Sequence, residues 1–288
     1  MWKNVSFHIN FIVFLKKNYI FARYKTMKSI KQIMKSILNT YEPITLEEMK
    51  GIRLMKRTDT KFVTTISKLQ EVLRLAQSNY RVQIIDNVYD LPYSTRYYDT
   101  LHCDMFLEHH NGRKTRQKIR IRSYEQTGLS FLEVKNKNNR GRTVKKRILI
   151  PSEETRHEEC LQFLNEHSRY EPYSLTPQLE NHFHRITLVN KRMTERLTID
   201  TDLCFHNVQT GCDCSLDQLV IIELKRDGNT ESPIREILRD LRIKPAGFSK
   251  YCMGMALTNQ SLKRNRFKPR LHLLEKMIER NEGITTCL

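Results

Sequence analysis

Lys118-Ile119-Arg120-Ile121-Arg122, K-I-R-I-R, repeats with a period of two. Side chains on a β-strand alternate between its faces. Lys118, Arg120 and Arg122 therefore share one face, and Ile119 and Ile121 the other. Like charges side by side on one strand face repel one another unless an anion lies over them. One such strand also suits the solvated outer face of an antiparallel sheet. Recurrence of the pattern favours the first reading. In Leu129 to Lys137, Glu133, Lys135 and Lys137 face away from Leu132 and Val134. In Arg142 to Ile150, Lys145 and Arg147 share a face. Leu54 to Val63 reads as a strand with Arg57, Asp59 and Lys61 together. Gln218 to Arg226 sets Glu223 and Lys225 against Ile222 and Leu224. Thr176 to Val189 and Glu195 to Phe205 read as a hairpin, the second strand setting Arg196, Thr198, Asp200 and Asp202 against Leu197 and Ile199.

Helical patterns lie between these strands. Residues 28–40 carry Ile30, Ile33, Met34, Ile37 and Leu38 on one stripe. Thr45, followed by Glu47 and Glu48, reads as an N-cap. Ser67 reads as the N-cap of a helix through Leu69, Val72, Leu73 and Ala76. Tyr93 to Asp99 reads as a strand, and residues 101–112 as an irregular segment ending in the turn signal Asn111-Gly112. Pro151-Ser152 begins a helix to about His167, and Ser232-Pro233 another through Ile237, Leu238 and Leu241. A last helix starts at Ser249, and the tail beyond Lys263 is polar and basic with an amphipathic turn around Leu271 to Ile278.

The apolar stripes of the helices need a surface to cover. If they cover the aliphatic strand faces, the charged faces converge. The sheet then curls into an α+β antiparallel β-barrel tunnel with a cationic interior, surrounded by helices. The 288 residues carry 50 Lys plus Arg against 32 Asp plus Glu, a formal charge of +18 that implies an anionic partner. A duplex nucleic acid cannot enter such an interior; a nucleoside triphosphate or a linear chain of phosphates can. Seven scattered cysteines indicate reduced thiols and a cytoplasmic location. Cys212 and Cys214 lack a second pair at zinc spacing.

Residues 1–26 form a separate leader. Its apolar run, Phe7 to Leu15, is interrupted by His8 and Asn10 and is too short to span a bilayer, so no integral membrane segment is expected. The leader either precedes a natural start at Met27 or rests on an anionic surface through Lys16, Lys17, Arg23 and Lys25. Residues 27–260 form the tunnel domain and residues 261–288 a basic C-terminal tail.

Glu223 is the metal candidate. One carboxylate together with phosphate oxygens is a common way of holding Mg²⁺ or Mn²⁺ at phosphoryl-transfer sites. A cross-strand ion pair is the other reading of Glu223. Glu133 is a second candidate flanked by Lys135 and Lys137, and Asp200 can hold Arg196 in place. Lys250 follows the cap Ser249, where a cation opposes the helix dipole and gains if both face a phosphate. The histidines show no ligand spacing.

An ordered set of motifs carries a family resemblance: R-T-D-T-K-F at 57–62, R-Y-Y-D-T at 96–100, K-I-R-I-R-S-Y at 118–124, F-L-E-V-K-N-K at 131–137, K-K-R at 145–147, R-L-T-I-D-T at 196–201, I-E-L-K at 222–225 and F-S-K-Y at 248–251. From about Tyr41 to Leu257 the chain resembles the vacuolar transporter chaperone (VTC) domain, the polyphosphate polymerase domain of the triphosphate tunnel metalloenzymes, a CYTH-like superfamily. The resemblance implies an eight-stranded antiparallel tunnel, a size whose interior side chains can fill or one small ligand can occupy. It implies that Lys61, Arg120, Arg122, Lys135, Arg185, Arg196, Lys225 and Lys250 line the tunnel and bind phosphates, with Lys145 or Lys146 joining them. Arg57 and Lys118, on the same charged faces, complete the phosphate-binding set. It places Mn²⁺ or Mg²⁺ on Glu223. The implied reaction moves the γ-phosphate of ATP onto a growing polyphosphate chain, with Arg120, Arg122, Lys135, Arg196 and Lys225 at the reacting phosphates. ATP and inorganic polyphosphate are the implied partners, and nucleic acid is not. The hydrolytic and cyclase branches carry E-x-E-x-K where this chain has Arg57, Asp59 and Lys61, which favours polymerase over the alternatives of a triphosphatase or a non-catalytic polyphosphate-binding protein.

Overall fold

The computed structural model describes residues 30–52, 57–150, 156–228 and 230–279, with Arg57, Arg156 and His157 as backbone. The expected leader, the Pro151-Ser152 helix start and the phosphate contact of the Arg57 side chain lie outside what is described. A helix over residues 30–38 (α1) comes first, then strand Glu42–Ile44 (β1) and one helical turn, Leu46–Met49 (α2). Thr45 caps α2 as its sequence suggests: its hydroxyl accepts from the Glu48 amide, and the Glu48 carboxylate accepts from the Thr45 amide.

The main sheet uses eight strands: β2 (Arg57–Thr65), β4 (Leu91–Asp99), β5 (Arg116–Tyr124), β6 (Leu129–Lys137), β7 (Thr143–Ile150), β8 (Thr176–Asn190), β9 (Glu195–Asn207) and β11 (Leu219–Asp227). Their order is β2-β11-β9-β8-β4-β5-β6-β7, antiparallel throughout. β1 pairs in parallel with β3 (Tyr80–Gln83), β3 with β8, and β10 (Asp213–Leu216) with β9. Among the described residues no register joins the end strands β2 and β7. The curl therefore has a seam and is not a fully hydrogen-bonded ring.

The aliphatic faces pack outward against helices, as the alternation requires. Ile222, Leu224, Leu197, Ile199, Ile186 and Leu188 share one core with α3 (Ile66–Ala76) and α6 (Pro233–Asp240). Ile119, Leu132 and Val134 form another with Phe163 of α5 (Arg156–His167). The opposite face is not charged along its whole length. Val63, Tyr93, Tyr97, Phe183 and Ile221 meet α7 (Lys250–Thr258) and α8 (Lys268–Glu279) in a third core. The amphipathic stretch in the expected tail is thus a docked helix, with Leu271, Leu274 and Ile278 buried.

Two local expectations change. Residues 101–112 contain a helix, α4 (Asp104–His110), and are not wholly irregular. Its starting signal sits outside the usual cap position: the Asp99 carboxylate accepts from the amides of Met105 and Phe106. The residue at the N-cap position is Cys103, left-handed at φ 56°, which makes no side-chain cap. Helix α3 starts at Ile66, not after Ser67; its first amide donates to the carbonyl of Gln218, so neighbouring chain replaces the expected cap.

Helix α7 lies very close to the sheet. A Cβ on Gly254 would stand 2.5 Å from Leu179 Cδ2 and 2.6 Å from Phe205 Cδ1. Gly254→Ala is therefore expected to destabilise the fold by about 1–3 kcal/mol through overpacking. A lower urea midpoint with an unchanged slope would show it, and an unchanged midpoint would refute the close fit.

Candidate phosphate site

The site grows from three adjacent strands. Register aligns Lys118 of β5 with Lys135 of β6, and Lys135 with Lys145 of β7. The next inward row is Tyr97, Arg120, Glu133 and Arg147, and the next is Thr95, Arg122, Phe131 and Leu149. Across the sheet, Glu223 pairs with Lys61 on one side and Thr198 on the other, Lys225 with Arg196, and Asp200 with Arg185. The register thus brings Lys61, Lys118, Arg120, Arg122, Lys135, Lys145, Arg185, Arg196, Lys225 and Glu223 onto one face. It sets Lys146 opposite Val134, on the helix-covered face. Of the two candidate lysines, Lys145 joins the cluster and Lys146 does not.

Two buried carboxylates brace this charge. The Arg120 guanidinium donates to Glu133 Oε2 from Nε at 2.7 Å and from its terminal nitrogen at 2.5 Å, while Lys145 Nζ stands 3.1 Å from Glu133 Oε1. Glu133 has no solvent exposure, and both its oxygens are engaged by cations. It is a brace, and the second metal position expected there does not fit. Asp200 takes Arg185 on both oxygens, at 2.6 and 2.8 Å, and also accepts from Lys250. Asp200 thus holds Arg185 and Lys250, where the sequence suggested Arg196. Burial alone would raise both carboxyls. Arg120, Arg122 and Lys145 outweigh it at Glu133, and Arg185 and Lys250 at Asp200, holding each well below the usual carboxylate range.

The remaining cations sit differently. Among the described residues, Arg122 and Lys135 have no carboxylate within ion-pair distance. Arg122 Nε donates to Thr95 Oγ1 at 3.2 Å. Burial and the neighbouring Arg120 and Arg185 bring the Arg122 guanidinium down to about 10. Arg120, together with burial and Arg122, pushes the Lys135 ammonium well below its ordinary value. Lys118 donates to the Ser249 hydroxyl at 2.8 Å and is lowered to about 8, chiefly by burial. Burial also lowers Lys225 to about 8 and Lys250 to about 7, against the opposing pull of Glu223 and Asp200. Lys61 Nζ donates to the Phe248 carbonyl at 3.0 Å.

Two aromatic rings and a buried carboxylate complete the site, and their roles are not evident from the sequence. Phe183 lies under three cations, with Arg122, Arg185 and Lys250 at 5.6, 5.2 and 3.8 Å from its centroid. Tyr93 stacks on Phe183 and takes Arg122 and Arg185 on its own ring. Asp99 ties motif to motif. It caps α4 and accepts from Tyr251 Oη at 2.5 Å, fixing the turn of α7 beside Lys250. The quoted R-Y-Y-D-T and F-S-K-Y stretches contain both partners, but no spacing rule links residues 152 positions apart. The Ser249 cap is as expected, its hydroxyl accepting from the Cys252 amide.

Glu223 is the carboxylate with the lightest engagement. Its Oε2 stands 3.4 Å from Lys225 Nζ, and Lys61 faces it across the strand pair. Burial would raise it, but Lys225, Lys61 and Arg185 hold it at about 2, so it is ionised. Among the described residues no three His, Cys, Asp or Glu side chains group as a ready metal site. A divalent ion fits here only with Glu223 as one ligand and phosphate oxygens and water as the others.

Glu133→Gln would leave the buried Arg120 without its charge partner. It is expected to cost about 3–5 kcal/mol at neutral pH, a scale that applies to removing one partner of a buried pair. The folded carboxyl titrates far below its unfolded value, so its contribution is full above the unfolded pKa of roughly 4.3 and fades on acidification. Urea unfolding at pH 7 and pH 3.5 should show the gap between parent and variant narrowing; a gap that widens with acid would contradict the bracing role.

A protein of Vibrio parahaemolyticus assigned as a candidate adenylate cyclase is 11% identical with a TM-score of 0.42, covering 70% of this chain and 99% of that one. A candidate adenylyl cyclase from Hippeastrum, described as having a dominant triphosphatase activity, is 13% identical with a TM-score of 0.42, covering 70% and 96%. A protein of Pyrococcus horikoshii is 13% identical with a TM-score of 0.39, covering 69% and 98%. The search of curated proteins gives no match. The VTC domain model matches residues 56–259, well over half of the chain. The chain therefore belongs to the VTC-domain family, and its function is one related to polyphosphate or triphosphate.

Proposed function

We propose that this protein is a polyphosphate polymerase that transfers the γ-phosphate of ATP onto a growing inorganic polyphosphate chain. The observation that carries the reading is the division among the inward cations. Arg120, Arg185 and Lys250 are locked by Glu133 and Asp200. Arg122, Lys135 and Lys118 have no such partner among the described residues and point their charge at the same space. Several positive groups held close together without counter-charge form a binding site for a polyanion. Arg offers planar paired donors to phosphate oxygens and Lys a compact charge.

Transfer in this setting rests on positioning and charge neutralisation. Arg122 and Lys135 hold the β- and γ-phosphates of the donor, and Arg120, seated on Glu133, lines the same wall. Lys225, Arg196 and Lys61 stand on the strands across from them, beside Glu223. Mn²⁺ or Mg²⁺ on Glu223 would neutralise charge on the transferring phosphoryl group. The attacking terminal phosphate oxygen is already anionic, so no general base is needed. The one histidine near the interior cations does not offer one: His109 Nδ1 contacts Cys252 Sγ at 3.0 Å, and burial and Lys118 push its ring down to about 2. Hydrolysis would in addition need an activated water, which the metal ion on Glu223 would have to supply.

The deciding assay incubates purified protein with ATP and Mn²⁺ and separates the products on a gel stained for polyphosphate. A ladder of long chains, lost in Arg122→Ala and Glu223→Gln, is the expected result. Orthophosphate without a ladder would make the protein a triphosphatase. Binding without turnover would make it a polyphosphate-binding protein.

A pH effect follows from the lysines. Phosphates in the interior favour the charged forms of Lys250, Lys118 and Lys225, which are lowered to about 7, 8 and 8. Tripolyphosphate binding should therefore take up protons and weaken as pH rises from 7 to 9. Calorimetry in buffers of different ionisation enthalpy measures the uptake; proton release, or affinity rising with pH, would contradict it.

A further inference from the structure

The inward ladder does not stop at Lys118. One step further along β5 and β6, Arg116 pairs with Lys137. Same-face neighbours on a strand are about 6.6 Å apart, so this row continues the phosphate-binding rows at their own spacing. Beyond it the chain turns twice, and both turns are basic. Arg113 and Lys114 precede β5; Arg140 and Arg142 flank Gly141 between β6 and β7. The second turn is held by Asn138, whose amide donates to the Arg142 carbonyl at 2.9 Å and whose side chain accepts from the Arg142 amide at 2.9 Å. Arg113, Lys114, Arg140 and Arg142 are exposed. Among the described residues none of these six cations has a carboxylate within ion-pair distance. The Arg116 guanidinium donates only to a neighbouring carbonyl, that of Arg113, at 3.0 Å.

The cations also converge from separate elements. His109 of α4 feels Lys118 and Arg116 from β5, Arg270 from α8 and Lys137 from β6. Helix α7 fills the interior against Phe205, Leu179 and Ile221, which belong to β9, β8 and β11. The β5–β6 side keeps its row of cations past the start of that helix, where Lys118 meets Ser249. Among the described residues of β5, β6 and the two turns, the positive track therefore runs from Arg122 or Lys135 to those turns with no carboxylate but Glu133, which is bound to Arg120.

We propose that the surface formed by Arg113, Lys114, Arg116, Lys137, Arg140 and Arg142 is an exosite for linear inorganic polyphosphate. It grips the part of a chain that extends beyond the interior. The proposal rests on the reading of the interior as a phosphate-chain site. Its rows continue the interior rows, so a flexible linear polyanion can pass from one to the other, which a duplex too wide for the interior cannot do. An exosite of this kind retains the product between transfers, so chains grow long before release.

The test replaces the four exposed turn cations together, Arg113→Ala, Lys114→Ala, Arg140→Ala and Arg142→Ala, with Arg140→Ala/Arg142→Ala as a milder second variant. Binding of tripolyphosphate and of long-chain polyphosphate is measured across salt concentrations, with thermal melts run on the same samples. The expected result is unchanged tripolyphosphate affinity, long-chain affinity lower by about tenfold, and a salt slope shallower by roughly 3 for the fourfold variant. The double variant should show about half that change in slope. Equal loss for both ligands, or no loss for the long chain, overturns the exosite. Duplex DNA competing as well as long-chain polyphosphate would also overturn it and assign the track to nucleic acid. A parent that binds the long chain but not tripolyphosphate, with the variant losing the former, would keep the exosite and reject the interior reading.

Discussion

Repulsion among buried cations is the constraint under which this fold is built. Three lysines stand abreast on β5, β6 and β7, and three arginines crowd the rows beside them. Desolvation and mutual repulsion oppose that arrangement together. Two fully enclosed carboxylates make it tolerable, each shared between two cations from different elements. Glu133 ties β5 to β7 through β6, and Asp200 ties β8 to α7 through β9. Aromatic rings supply a second kind of relief: Phe183 and Tyr93 offer their faces to guanidinium groups that no carboxylate reaches on that side. What remains uncompensated is local and deliberate in placement, on Arg122, Lys135 and Lys118.

On the proposed function, that division separates charge that braces the fold from charge left for a ligand. An arginine bound on two sides by a carboxylate keeps its position whether or not a ligand is present. A lysine whose charge is suppressed by its neighbours regains it when an anion arrives. On the proposed function, ligand binding in the interior is therefore coupled to protonation. Glu223 stands between the two groups, ionised and only loosely held by Lys225. A divalent ion beside phosphate would find its one protein oxygen ligand there.

Much of this was legible in the order of residues, and the reasons are physical. A period of two on six strands assigns each side chain to a face, and aliphatic faces must be covered. Those two rules place Lys118, Arg120, Arg122, Lys135, Lys225 and Glu223 inward before any contact is known. Periodicity does not reveal register. The choice between Lys145 and Lys146, and the partner of Asp200, depend on which residues stand opposite across strands far apart in the chain. Helix α4 was hidden because its cap comes from Asp99, outside the usual position, with Cys103 in a left-handed conformation between them. Phe183 and Tyr93 were hidden because an aromatic residue in a strand reads as core, and here it is core that also faces cations.

The link between Asp99 and Tyr251 spans 152 positions, and that between Lys61 and Phe248 spans 187. Chains emerge from the ribosome N-terminus first. All eight main strands are therefore made before Phe248, Ser249 and Lys250 exist. A nascent chain carries the cations of the interior but not the helix that seats Lys250 on Asp200 and meets Lys61 and Lys118. Among the described elements only the segment ending in α8 is made later, so on the proposed function the interior captures polyanions only once synthesis of the domain is nearly over.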